Sequence, residues 1–73
     1  MNTIKFKLRE GEEFIQLIQL LKATSLVDSG ATAQFVVSEG MVKRNGEVEL
    51  RKRAKCIPGD VIEFNHQVIE LMG

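Results

Sequence analysis

The chain opens with a strict alternation of apolar and polar side chains. Its apolar members are Ile4, Phe6 and Leu8, and basic residues stand between them. A period of two places neighbouring side chains on opposite faces, so the pattern predicts a strand with one buried face and one basic face. The acidic stretch 10–13 ends this strand and suits the start of a helix, where the macrodipole is positive.

Two helices are predicted next. The first runs from residue 14 to about residue 23, because its apolar residues recur at helical spacing. That stripe consists of Phe14, Leu17, Ile18 and Leu21. The second helix begins after Ser29, a good N-cap, and ends at Gly40 in the C′ position. Its inner face consists of Ala33, Val36 and Val37. The connection of about five residues predicts that the helices pack against each other.

The period then changes to that of strands and turns. Asn45-Gly46 lies between two short strand-like stretches and predicts a hairpin, since both central residues of a type I′ turn need positive φ. Further along, 58–60 (Pro-Gly-Asp) and 65–67 are predicted turns, with strands at 61–64 and 68–71. The fold class is therefore α+β: two short packed helices followed by a small, mostly antiparallel sheet, with an added N-terminal strand. We expect residues 1–73 to form one domain.

A formal net charge of +0 hides a local asymmetry. The chain of 73 residues has ten Lys plus Arg and ten Asp plus Glu. Residues 43–55 hold two of the anions and six of the cations: Lys43, Arg44, Arg51, Lys52, Arg53 and Lys55. Like charges held this close repel, so the cluster favours a polyanionic partner such as a phosphate backbone. The alternative is a solvated loop that Glu47 and Glu49 partly neutralise.

The sequence offers little for catalysis or metal binding. The single cysteine, Cys56, and the single histidine, His66, stand ten positions apart with no third partner at metal-site spacing. Cys56 beside Ile57 is interpreted as a small core residue. The glycines are scattered, so no phosphate-cradling loop is present. We expect no enzyme activity, no metal, no cofactor and no small-molecule substrate.

The same composition indicates the cellular compartment of the protein. One cysteine cannot form an internal disulfide, which is typical of a reduced intracellular protein. The apolar residues of 1–8 never run together as in a signal peptide, and the apolar stretch 14–21 is too short to span a bilayer. We therefore expect a cytoplasmic protein with no membrane partner.

An ordered set of residues resembles the S-four RNA-binding domain over about residues 14–64. The set reads Ser29-Gly30-x-x-Ala33-x-x-x-Val37-x-x-Gly40-x-Val42-x-x-Asn45-Gly46, followed by Pro58-Gly59-Asp60-x-Ile62. The whole chain is similar to the small stand-alone bacterial proteins of the YbcJ-like family. The resemblance implies the S-four (alpha-L) RNA-binding fold and an RNA partner.

The chain departs from the S-four pattern on its helices. Gly30, Gln34 and Phe35 stand where many family members carry basic residues. Because of these departures, and because the cations lie in residues 43–55, we expect the phosphate contacts to come mainly from the hairpin and the segment after it. We expect a monomer that recognises structured RNA, ribosomal or transfer RNA, by phosphate and shape contacts. The expected RNA-binding residues are Lys43, Arg44, Arg51, Lys52, Arg53 and Lys55, with added hydrogen bonds from Gln34 and Asn45, although Asn45 is also explained by the turn.

Two other functions remain open at this point. A protein–protein adaptor would use the same basic face to bind an acidic protein, and the sequence does not separate it from RNA binding. A ubiquitin-like sulfur carrier is similarly short and begins with a strand, but it needs a C-terminal Gly-Gly, whereas this chain has Leu71-Met72-Gly73.

Overall fold

The computed structural model describes residues 2–73. Over this range the chain forms β1 (Asn2–Lys7), β2 (Ile15–Gln16), α1 (Leu17–Ala23), α2 (Gly30–Ser38), β3 (Val42–Arg44), β4 (Glu47–Val48), β5 (Lys55–Cys56), β6 (Val61–Phe64) and β7 (Gln67–Met72). The predicted α+β class, with two helices ahead of most of the strands, is confirmed.

Five strands form the main sheet in the order β1-β7-β6-β3-β4. All of its pairs are antiparallel except β1 with β7, which is parallel. The two hairpins have tight turns whose central residues all have positive φ: 52° and 86° at Asn45 and Gly46, and 52° and 62° at Asn65 and His66. These are type I′ turns, whose twist matches that of the flanking strands. A separate pair joins β2 to β5.

The core lies between one face of the main sheet and the two helices. From the helices, the buried side chains are Leu17, Leu20, Leu21, Ala33, Val36 and Val37. From the sheet, they are Val42, Ile62, Phe64, Ile69 and Leu71. Ile4 and Phe6 of β1 pack against this cluster, while Lys5 and Lys7 are exposed on the other face. The alternation predicted for the first strand is confirmed.

The second helix has the ends that its sequence predicts. The Ser29 hydroxyl accepts a hydrogen bond from Thr32 N at 3.2 Å, and Gly40 has φ 72°. Gly40 N and Met41 N donate to the carbonyls of Val37 and Val36 at 3.1 and 3.0 Å. This pair of bonds is the Schellman arrangement, which satisfies the last carbonyls of a helix.

The first helix begins later than predicted. The pattern placed Phe14 on its stripe and the acidic stretch 10–13 at its start, but α1 begins at Leu17 and Phe14 is 37% exposed. Ile15 and Gln16 pair with Cys56 and Lys55 instead, so these two residues are extended. Ile15 is half-buried in this short strand and packs against the core, so an apolar residue at this position fits a strand as well as a helix. Among residues 2–73, no helix is long and apolar enough to cross a membrane.

Candidate functional site

The segment between β4 and β5 carries most of the positive charge and is fixed at both ends. We call residues 51–55 the basic loop. Two residues before it, Glu49 N donates to the Val42 carbonyl at 3.0 Å and fixes the chain that leads into the loop. At its end, the Ala54 carbonyl accepts from Leu17 N at 2.9 Å and the Lys52 carbonyl accepts from Ile18 N at 3.3 Å. Carbonyls of the loop thus accept hydrogen bonds from N–H groups in the first turn of α1, which the Gln16 side chain does not cap.

Asp60 joins the β3–β4 hairpin to the turn before β6. Its Oδ2 accepts from Arg44 Nη2 at 2.7 Å and Nε at 3.1 Å, and from Ile57 N at 2.9 Å. Its Oδ1 accepts from Asn45 Nδ2 at 3.0 Å, and Asn45 Oδ1 accepts in turn from Val61 N at 2.8 Å. This buried carboxylate therefore fixes both the side chain of Arg44 and the hairpin tip.

The pKa of Asp60 reflects these contacts. Burial by itself raises the pKa, but the hydrogen bonds from Ile57 N–H, Asn45 and Arg44, together with the Arg44 charge, outweigh it. The pKa of Asp60 is therefore lower than that of an ordinary aspartate, and the group is ionised at neutral pH. A carboxylate held this way is suited to structure and not to proton transfer near pH 7.

Glu49 holds a second pair of arginine contacts. Its carboxylate oxygens accept from Arg51 Nε and Nη2, both at 3.1 Å, and Oε1 lies 3.5 Å from Arg44 Nη1. The hydrogen bond from the Arg51 side chain is the main cause that lowers the pKa of Glu49, against the opposing effect of burial. Arg44 thus contacts two carboxylates, whereas Arg51 contacts one.

Two adjoining clefts open beside these ion pairs, and together we call them the basic cleft. One, of about 360 Å³, is lined by Arg44, Asn45, Glu47, Val48, Glu49 and Arg51. The other, of about 430 Å³, is lined by Arg44, Arg51, Arg53, Ala54 and Lys55. The combined lining has four cationic side chains, two carboxylates and no aromatic ring, so its net positive charge suits an anionic group and not a stacked base.

The cations of the basic loop differ in how free they are. Lys52, Arg53 and Lys55 are exposed, and within residues 2–73 none of them forms an ion pair. The ammonium of Lys55 lies 5.0 Å from the centre of the Phe14 ring, which is a cation–π contact. Arg51 is also exposed but pairs with Glu49. Four cations of the loop are therefore within reach of an external anion.

The structure does not bring all six predicted cations together. Lys43 follows Val42, whose side chain is in the core, so Lys43 points to the opposite face of the sheet. It lies in register with Glu63 of β6 and Val48 of β4. Because a strand sends neighbouring side chains to opposite faces, Lys43 does not line the basic cleft, and its contact with RNA stays a prediction.

Three of the predicted RNA-binding residues are either bonded within the protein or outside the basic cleft: Arg44, Asn45 and Gln34. Arg44 Nη2 also donates to the Lys55 carbonyl at 2.8 Å, so its guanidinium is largely occupied within the protein. Both polar atoms of the Asn45 side chain are likewise bonded internally. Gln34 is exposed on α2 and does not line the basic cleft. Whether these three side chains contact a ligand stays a prediction.

Cys56 and His66 belong to different elements, Cys56 to β5 and His66 to the turn between β6 and β7. Among residues 2–73, no group of three or more His, Cys, Asp and Glu side chains is placed to hold a metal ion. Cys56 is fully buried, and burial raises the pKa of its thiol to about 11. His66 is at the second position of the β6–β7 turn. The interpretation of Cys56 as a core residue is confirmed.

Comparison with known proteins identifies the family. A family model described as "S4 domain" matches residues 6–72. YbcJ of Escherichia coli (strain K12) is 36% identical over 58 residues, which are 80% of this chain and 83% of YbcJ. YbcJ of Shigella flexneri is similar to the same extent. The chain therefore belongs to the S4 domain family, as its motif set predicts.

A solved structure agrees with this membership. The solution structure of YbcJ from E. coli matches 100% of this chain and 91% of that chain, with a TM-score of 0.75 and 33% sequence identity. It is described as revealing an alfaL motif involved in RNA binding. The predicted S-four (alpha-L) fold and the resemblance to the YbcJ-like proteins are thereby confirmed.

Two carboxylates, Asp60 and Glu49, organise the site in a way that the sequence does not indicate. The sequence predicts Asp60 as a turn residue, and it does accept a bond from Ile57 N, but its bonds from Arg44 span 16 positions. For Glu49 the sequence predicts only partial neutralisation of the cluster. Pairing between Asp60 and Arg44, which are distant in sequence, has no local pattern, so only the folded structure shows it.

Proposed function

We propose that this protein binds structured RNA, ribosomal or transfer RNA, through phosphate contacts in the basic cleft. The observation that carries the proposal is the set of exposed cations on the basic loop, which is fixed against α1: Arg51, Arg53 and Lys55 line the cleft, and Lys52 lies on the same loop. A fixed loop presents charges in one geometry, so little conformational freedom is lost when phosphates bind. The RNA-binding motif described for E. coli YbcJ supports the same partner.

Structured RNA fits the cleft better than a single strand does. Proteins that bind single strands without sequence preference stack bases on aromatic side chains. The basic cleft has no aromatic lining, and the chain has no Trp or Tyr. Folded RNA is recognised mainly by shape, phosphates and 2′-hydroxyls, which a cluster of Arg and Lys contacts well. The role proposed is binding without catalysis, in the cytoplasm, by a monomer.

Titration against RNA at several salt concentrations tests this proposal. The probes are a transfer RNA, a ribosomal RNA fragment, an unstructured RNA of equal length and an acidic polypeptide. If four cations each release a counterion, the slope of log K against log salt is roughly −3 to −4. Tighter binding to the folded RNAs is expected. Binding only to the acidic polypeptide would favour the adaptor function instead.

A matched pair of variants locates the surface. Arg53→Gln with Lys55→Gln removes two charges from the basic cleft, and Lys5→Gln with Lys7→Gln removes two from β1, at the far edge of the sheet. We expect the first pair to weaken binding about tenfold and to reduce the salt slope by about two, as two phosphate contacts imply. The β1 pair should change both quantities little. Equal effects would mean that net charge, and not the cleft, drives binding.

A further inference from the structure

Glu49 lies between two arginines of the basic cleft. Its carboxylate accepts two hydrogen bonds from Arg51 at 3.1 Å, and Oε1 lies 3.5 Å from Arg44 Nη1. Two guanidiniums around one anion form an arrangement that a phosphate group also takes, since guanidinium forks bind carboxylates and phosphates alike. Glu49 therefore occupies the guanidinium fork of Arg51 that an external phosphate would otherwise bind.

The two partners of the Glu49–Arg51 pair differ in freedom. The Glu49 side chain is 12% exposed, whereas that of Arg51 is 74% exposed. Glu49 is held by its own N–H to the Val42 carbonyl and accepts Arg51 N at 3.2 Å. An ion pair with one exposed partner contributes little to stability. Arg51 is thus able to leave the carboxylate at small cost, while Glu49 remains in place.

We propose that Glu49 limits the affinity of the basic cleft for RNA phosphates, holding Arg51 in the free protein and releasing it when RNA binds. This inference rests on the proposed RNA-binding function. The fixed carboxylate repels any phosphate that approaches Arg51, so a single phosphate gains little there. A folded RNA places further phosphates near Lys52, Arg53 and Lys55 at the same time, and these linked contacts offset the repulsion. Glu49 then favours a polyanion over an isolated phosphate.

Glu47 provides the matched control. It lines the same cleft and faces Arg44 across the β3–β4 pair. It is exposed, and within residues 2–73 it forms no ion pair. Glu47→Gln and Glu49→Gln change the net charge equally, so any effect of overall charge is common to both. Only Glu49→Gln frees Arg51.

The experiment measures RNA affinity and its salt slope for wild type, Glu49→Gln and Glu47→Gln, with a transfer RNA as the probe. We expect Glu49→Gln to bind the RNA about fivefold more tightly. This factor corresponds to the loss of the repulsion between one unit charge and a phosphate at contact range in water-like surroundings. Its slope should steepen by about one, because Arg51 then contacts a phosphate without competition. Glu47→Gln should change affinity less than twofold, since its charge is exposed and screened. Circular dichroism confirms that each variant is folded.

A double-mutant cycle tests the route through Arg51. In an Arg51→Gln background, Glu49→Gln should no longer differ from Glu47→Gln. Equal affinities of Glu49→Gln and Glu47→Gln in the wild-type background would overturn the inference, and so would weaker binding by Glu49→Gln, which would make Glu49 a positioning residue for its arginines. If the wild type does not bind RNA even at low salt, the proposed function itself fails. That result is distinct from wild-type binding with no Glu49 effect.

Discussion

Replacing Asp60 by Asn tests whether one buried carboxylate holds the hairpin and the basic loop in register. Asp60 is 7% exposed and accepts four hydrogen bonds. Three of the donors meet Oδ2 and the fourth meets Oδ1. An Asn side chain has one accepting oxygen and one donating amide, so at least one donor at position 60 faces another donor. The variant also leaves Arg44, which is 21% exposed, beside a neutral partner.

The magnitude follows from these contacts. A hydrogen bond to a charged group contributes about 1.5–3 kcal/mol, and removing one partner of a buried pair costs about 3–5 kcal/mol. Arg44 keeps its bond to the Lys55 carbonyl and its contact with Glu49, so we take the lower end, about 3 kcal/mol. A domain of this size has a free energy of unfolding of about 4–11 kcal/mol. Asp60→Asn should therefore fold, with Tm lowered by roughly 12–24 °C.

Urea unfolding followed by far-UV circular dichroism measures the loss, because the chain has no Trp or Tyr for fluorescence. Glu70→Gln removes an exposed carboxylate on β7 and serves as the control; it should change the free energy of unfolding little.

The pH dependence of stability adds a second check. Since the pKa of Asp60 is lowered in the folded state, its contribution is complete above the unfolded value of about 3.9 and is lost as the pH falls through the folded value. The difference between wild type and Asp60→Asn should thus shrink from pH 7 to pH 3. A loss below about 1 kcal/mol at pH 7, the value of an ordinary neutral hydrogen bond, would refute the reasoning.

Two further predictions concern the helix end and the thiol. Gly40→Ala should lower the free energy of unfolding by about 1 kcal/mol, because φ at this position is 72°. The cost comes from the backbone and not from crowding, since the new Cβ would lie 3.5 Å from Val48 Cγ1. Gly30→Ala, at a helical position of ordinary φ, should cost nothing in the same urea assay. Cys56 should react with a thiol reagent at pH 8 only as fast as the protein opens, because the thiol is buried and its pKa is raised to about 11. Urea should therefore accelerate the reaction. Rapid labelling of the folded protein would contradict this burial.

Local conformation accounts for the elements that the sequence predicts well. The type I′ turn at Asn45-Gly46 and the helix end at Gly40 need positive φ, and these residue types tolerate it at low cost. Ser29 caps α2 through a bond only three residues long. The alternation in β1 is equally local. Such features are decided within a few residues, so a pattern in the chain is enough to predict them.

The start of α1 shows where local patterns stop being sufficient. Ile15 belongs to an apolar run that fits a helix, yet it pairs with Cys56, which is 41 positions away in the chain. The first N–H groups of α1 then bond to carbonyls of Lys52 and Ala54. Contacts between such distant segments leave no periodic pattern in the sequence. They override the intrinsic helix propensity of these residues, because helix propensities of ordinary residues differ by only roughly 0–0.7 kcal/mol.

The sequence by itself determined that this chain carries an S4-type arrangement of helices, hairpin turns and a cluster of cations, since caps, turns and charge are properties of neighbouring residues. Tertiary structure decided which cations are available. Strand alternation turns Lys43 to the opposite face of the sheet, Asp60 occupies Arg44, and Glu49 pairs with Arg51 in the lining of the cleft. The physical reason is that the availability of a charge depends on where folding directs its side chain and on which groups it brings nearby, such as Asp60, which meets Arg44 across 16 positions of the chain.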